Sequence, residues 1–138
     1  MRYLGIYRPT APEGTPPTEH DLAAMGNLIE EMTKAGVLLA TEGCQPSAKG
    51  ARVRYSRGKF TVIDGPFTET TELIAGFALF QVKSKEEAIE WTKRFLEVAG
   101  EGESEIRQLF EADDFGAEFT PELREQEERS RAQMVERR

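Results

Sequence analysis

The residues that could do chemistry gather around one short acidic stretch, "VIDGPFTETTEL" (62–73). Asp64 ends a strand-like run, ahead of a glycine free to take positive φ and a proline that sets a turn. An aspartate so placed can accept hydrogen bonds from the turn amides and do nothing else. Held rigidly at the mouth of a cleft, the same carboxylate can act as an acid/base or grip a ligand. Both readings of Asp64 stand. Glu69 and Glu72 lie three apart behind Thr68, a candidate helix cap, where acids complement the positive helix end. Glu42, in "TEGCQPS" (41–47), ends an earlier strand. If the two strand ends met, the paired carboxylates would push one pKa upward, the usual tuning for acid/base work. Arg54, with Arg52 and Arg57 beside it, either lines an anion pocket or forms the solvated face of an edge hairpin. The candidate ligand site is therefore Glu42, Arg54, Asp64, Phe67, Glu69 and Glu72, with Asp64 as the one catalytic candidate.

Other chemistries find little support. His20 is the only histidine and sits among acids in a polar first turn, so no pair of histidine ligands can form. The single cysteine, Cys44, can make no internal disulfide, and a nucleophilic thiol would need a base or cations facing it. No glycine-rich dinucleotide loop, phosphate loop or nucleophile elbow occurs. The sequence thus calls for no cofactor and no metal.

Length and composition set the frame. The 138 residues suit one core, and a net charge of −7 argues against direct nucleic-acid binding, which needs clustered cations. No apolar run approaches membrane-spanning length and no leader-like segment opens the chain, so the cytoplasm is the expected location.

The elements that must position these residues can be read in order. "RYLGIYR" (2–8) alternates as a strand, and the four prolines of 9–18 impose a loop. Thr18 and Asp21 outline a capping box for a helix over 19–36, whose stripe is Leu22, Met25, Leu28, Ile29 and Met32, and Gly36 stops it. A strand over 37–43 precedes a hairpin over 51–64 that turns at Arg57-Gly58. "AGFALFQV" (75–82) is nearly all apolar, which predicts a central strand. Ser84 and Glu87 open a second helix with Ala88, Trp91, Phe95 and Leu96 inward, and Gly100 ends it. "SEIRQLFEA" (104–112) reads as a last strand with Ile106, Leu109 and Phe110 in the core. The tail holds six acids and five arginines over 117–138, so pairs such as Glu125–Arg129 and Glu127–Arg131 must support its helix. This order predicts an α+β sandwich of the ferredoxin-like kind with an extra polar C-terminal helix. The sheet's second face needs cover, and a second copy is the simplest source, so a homodimer is expected.

With the elements placed, the chain resembles the YciI-like proteins, in the branch called DGPF-domain proteins after Asp64-Gly65-Pro66-Phe67. The resemblance is carried by "RYLGIY", "AGVLLATEGCQPS" (35–47), "VIDGPFTETTELIAGFALFQVKSKEEAIEW" (62–91) and "EIRQLFEADDFG" (105–116). It implies a bacterial protein with a dimeric α/β-barrel type of fold, a YciI-like domain over 1–116 and a helical extension over 117–138. It also implies a cleft by the DGPF turn that takes a small ligand or a protein partner, in regulation linked to extracytoplasmic-function sigma factors. The alternative is an enzyme of unknown substrate with Asp64 as acid/base. Two departures mark this chain. Thr71 stands where relatives carry a lysine, and Arg94-Phe95-Leu96 stands where they often carry Cys-Pro.

Overall fold

A computed structural model describes residues 1–68 and 72–136. Six strands and three helices follow one another as β1 (Arg2–Pro9), α1 (Glu19–Lys34), β2 (Leu38–Gly43), β3 (Ala51–Ser56), β4 (Lys59–Asp64), β5 (Gly76–Gln81), α2 (Lys85–Ala99), β6 (Gly102–Gln108) and α3 (Pro121–Glu136). Four strands form one antiparallel sheet in the order β2-β5-β1-β6. Without the β3–β4 hairpin, that is the second, third, first and fourth strand of a β-α-β-β-α-β chain, consistent with a ferredoxin-like α+β fold. The apolar β5 is central, as its composition predicts. The hairpin, however, joins no strand of that sheet and pairs only with itself.

The helices start and stop where local chemistry directs. Thr18 Oγ1 accepts from the Asp21 amide at 3.1 Å, and the Asp21 carboxylate accepts from the Thr18 amide at 3.0 Å. Gly36 follows α1 at φ +73°, a conformation other residues adopt at a cost. At α2, Ser84 Oγ accepts from the Glu87 amide, while the Glu87 carboxylate accepts from the Lys83 amide rather than that of Ser84. The box is therefore shifted outward by one residue.

Both helices cover one face of the sheet. Tyr3, Ala78 and Phe80 from the strands, and Val82 just beyond β5, pack with Leu28, Met32, Val37 and Ala88, and Trp91 and Phe95 are half-buried against them. Leu22, predicted in the α1 stripe, is exposed, because the stripe meets the sheet only from Met25 onward. Tyr7 crosses the core edge-on to Phe95 (centroids 5.3 Å apart, 86° between planes), and its hydroxyl donates to the Gly100 carbonyl at 3.0 Å. Burial raises the Tyr7 pKa above its ordinary value. The departure at Arg94-Phe95 has a structural role: Arg94 pairs with Glu31 of α1 through both guanidinium nitrogens and lies over the Trp91 ring.

Neither α1 nor α2 covers the other face of the sheet. Cross-strand partners place Glu42, Phe77, Ile6 and Glu105 in one row and Ala40, Leu79, Leu4 and Arg107 in the next. Its centre is apolar, and one margin holds an ion network in which Arg8 and Arg107 both reach Glu105 at 3.2 Å. Those two cations hold the Glu105 carboxyl below its usual range.

Residues Leu109–Arg138 form a second compact unit. The strand ends at Gln108, so Phe110 is no core residue of the sheet: it is exposed and stacks on Phe115, 4.9 Å away. Within this unit Arg124 reaches Asp113 at 2.7 Å. The predicted pairs Glu125–Arg129 (3.6 Å) and Glu127–Arg131 (2.8 Å) form on α3, which buries no residue. Among the described residues, no helix is long and apolar enough to cross a membrane.

Candidate functional site

The DGPF turn is built at the base of the hairpin. Ala51 opens β3 opposite Asp64, the last residue of β4. Immediately before β3 the chain makes a 3-10 turn, Ser47–Lys49, closed by the Gly50 amide on the Ser47 carbonyl at 2.9 Å. The Gly65 amide donates to the Gly50 carbonyl at 3.0 Å, so the two turns lie backbone to backbone. A Cβ on Gly65 would sit inside the van der Waals shell of the Ser47 carbonyl oxygen. Gly65 is thus required for clearance, not for positive φ, which it does not adopt. The Gly65–Pro66 peptide is cis.

Ser47 is the hub. Its hydroxyl accepts from the Phe67 amide at 2.9 Å and donates to Glu13 Oε2 at 2.7 Å, while its own amide donates to Glu13 Oε1 at 2.7 Å. A glutamate from the proline-rich loop therefore orients the hydroxyl that holds Phe67. On the other side, the Arg52 guanidinium lies 4.0 Å from the centroid of the Phe67 ring and pairs with Glu72 at 3.1 Å. Arg52 lies over the ring, a position that suits its weakly hydrated planar head.

Asp64 itself is exposed. Among the described residues its carboxylate accepts no hydrogen bond from the turn: the Gly65 amide is committed to Gly50 and the Phe67 amide to Ser47. The expected amide cap is thus replaced by a scheme in which Ser47, not Asp64, satisfies the turn. The result is an outward-facing carboxylate on a clamped backbone.

The remaining candidates divide. Phe67 and Glu72 come together through Arg52. Arg54 is exposed on the hairpin opposite Thr61, and Glu42 lies on the open face of the larger sheet beside Phe77. Glu69, like Thr71, lies outside the described residues. His20 and Cys44 are exposed. Among the described residues, no three His, Cys, Asp or Glu side chains converge as metal ligands would. Sequence reasoning missed Glu13 and Ser47 as the turn's supports, and it is Arg52, beside the candidate Arg54, that lies over Phe67. Arg52 and Arg54 alternate onto the same strand face, and only the position of Phe67 separates them.

A small cavity of about 10 Å³ lies elsewhere, under α2, lined by Gly5, Tyr7, Ala78, Phe80, Thr92 and Phe95 among others. It has room for about one water and touches none of the candidate residues.

Comparison with known proteins places this geometry in a family. The model of the YCII-related domain matches residues 1–113, and the chain belongs to that family. It is also 34% identical over 90 residues to an uncharacterized protein of Rhizobium meliloti (strain 1021), an alignment covering 64% of this chain and 70% of the relative.

Proposed function

We propose that this YCII-related chain works as a homodimeric binding domain, its open sheet face covered by a second copy and its ligand held at the DGPF turn. The observation that carries the ligand reading is the exposed Asp64 carboxylate on a backbone clamped through Ser47, Gly50 and Gly65. A binding group needs rigid mounting, because orientation lost on binding weakens affinity. An exposed carboxylate suits a ligand that donates hydrogen bonds, such as an ammonium or polyhydroxyl compound. The Arg52–Glu72 pair makes the rim polar without a surplus of positive charge. The dimer reading rests on the apolar centre formed by Leu4, Ile6, Phe77 and Leu79, of which Phe77 is 38% exposed.

Thermal-shift screening of a panel of polyamines and sugar alcohols tests the ligand reading. A stabilising member whose effect disappears in Asp64→Asn supports it. A panel without effect, or an effect unchanged by that variant, sinks it. The second reading, an enzyme with Asp64 as acid/base, draws on the same exposed carboxylate. It predicts that Asp64→Asn retains ligand binding while turnover of the bound ligand is lost. For the dimer, light scattering should give about twice 15.5 kDa, and Phe77→Lys should halve the mass by burying a charge in the interface.

A further inference from the structure

The proline-rich loop between β1 and α1 is fastened to the DGPF turn at one point. Its ends are fixed by the Thr10 amide, which donates to the Glu101 carbonyl at 3.0 Å, and by the Thr18 capping box on α1. Between those ends, Glu13 alone among the described residues hydrogen-bonds outside the loop, and both its carboxylate oxygens do so, at 2.7 Å. The loop is shaped to present it. Pro12, Pro16 and Pro17 each fix a φ angle, Thr15 Oγ1 donates to the Pro12 carbonyl at 2.9 Å, and Gly14 turns the chain at φ +80°. A segment with so few conformations loses little entropy on being held.

The chemistry of this contact asks for a carboxylate. Ser47 offers two donors, its amide and its hydroxyl, and each takes one Glu13 oxygen. With its hydrogen given to Glu13, the hydroxyl turns a lone pair to the Phe67 amide, which donates to it at 2.9 Å. Bonds to a charged acceptor are shorter and stronger than neutral ones. Ser47 also meets the turn through its carbonyl, against which Gly65 packs without room for a Cβ. Gly65 and Phe67, which follow Asp64, are therefore both set by Ser47, and Ser47 is set by Glu13.

We infer that the loop is a strap with Glu13 as its latch, a positioning residue that acts through Ser47 on the order of the DGPF turn and on ligand affinity at Asp64. This rests on the ligand reading proposed above and names its control. Coupling of this kind runs both ways. A ligand that needs the turn in its present geometry tightens the strap, and a strap released from Ser47 weakens the ligand.

Amide exchange on the full chain, followed by NMR, tests the latch without any ligand. Glu13→Ala and Ser47→Ala change side chains outside the core, so the fold should survive, as unchanged exchange at Phe80 in β5 verifies. Each variant should speed exchange of the Phe67 amide about tenfold, the scale of one charge-assisted hydrogen bond. The double variant should be no faster than Ser47→Ala, because Glu13 acts through the Ser47 hydroxyl. Phe67 exchange unchanged in Glu13→Ala, or effects that multiply in the double variant, overturns the latch. Calorimetric titration with spermidine and with sorbitol then reads the site. Ser47→Ala keeps every charge, so a dissociation constant raised about fivefold in it, the low end of ordinary coupling, ties the strap to binding. An unchanged constant overturns that tie. If neither probe binds any form while the exchange pattern holds, the ligand reading fails and the latch stands.

Discussion

β5 is nearly all apolar and the β3–β4 hairpin alternates, both as strands do, yet their apolar residues meet opposite fates. In β5, Ala78 and Phe80 are 8% and 2% exposed beneath two helices, while Phe60 of the hairpin is 73% exposed. The difference lies in what the chain lays over each. β5 has strands on both sides and helices capped at fixed points above it, whereas the hairpin is tied to the body through its base. Period-two alternation announces a strand with one apolar face. It carries no information about which element, or which molecule, covers that face.

The comparison can be broken most severely at the ring it depends on. Phe80→Ala should cost about 3–5 kcal/mol in urea unfolding, because neighbours collapse only partly into the space left. Phe60→Ala, measured at concentrations too low for association, should cost only about 0.5–1 kcal/mol, the scale of a lost cross-strand aromatic contact. Equal losses would mean that the hairpin is packed within a single chain.

Gly65→Ala should come next, at about 1–3 kcal/mol, since a methyl must displace the Ser47 backbone. It should also loosen the DGPF turn itself, visible as faster amide exchange at Gly65 and Phe67. Unchanged exchange would refute the clamp. Tyr7→Phe should cost about 1 kcal/mol by removing the hydroxyl that serves the α2 terminus. The smallest effect concerns pH. Arg94 lowers the Glu31 pKa by hydrogen bonding, so the pair's contribution is present above the unfolded value near 4.5 and is lost as pH falls through the lower folded value. The carboxylate is exposed and its pair screened, so only a slight steepening of acid-induced Tm loss is expected, abolished in Glu31→Gln.

Much of the fold was legible because it is decided locally. Thr18, Ser84, Gly36 and Gly100 act through bonds and dihedrals within a few residues, and their helices begin and end close to where those residues stand. Phe110 was misjudged for the converse reason. Its apolar neighbours suit a strand, but it finds its partner in Phe115, outside the sheet. The candidate site was legible only in part. Asp64, Phe67 and Glu72 could be suspected from one stretch. The Glu13–Ser47 support joins a proline-rich loop to a turn 34 residues later, and neither residue has a local signature of that role.

By itself, then, the sequence determined the order and type of elements, the family through its DGPF stretch, and the presence of an aspartate at a sharp turn. Those properties depend on periodicity, caps and turn residues that act over a few positions. Tertiary structure decided that Gly65 is needed for clearance against Ser47, that Arg52 rather than Arg54 lies on Phe67, and that Asp64 faces solvent instead of capping its own turn. Each depends on which distant backbone arrives at the hairpin base, and no local interaction encodes that arrival.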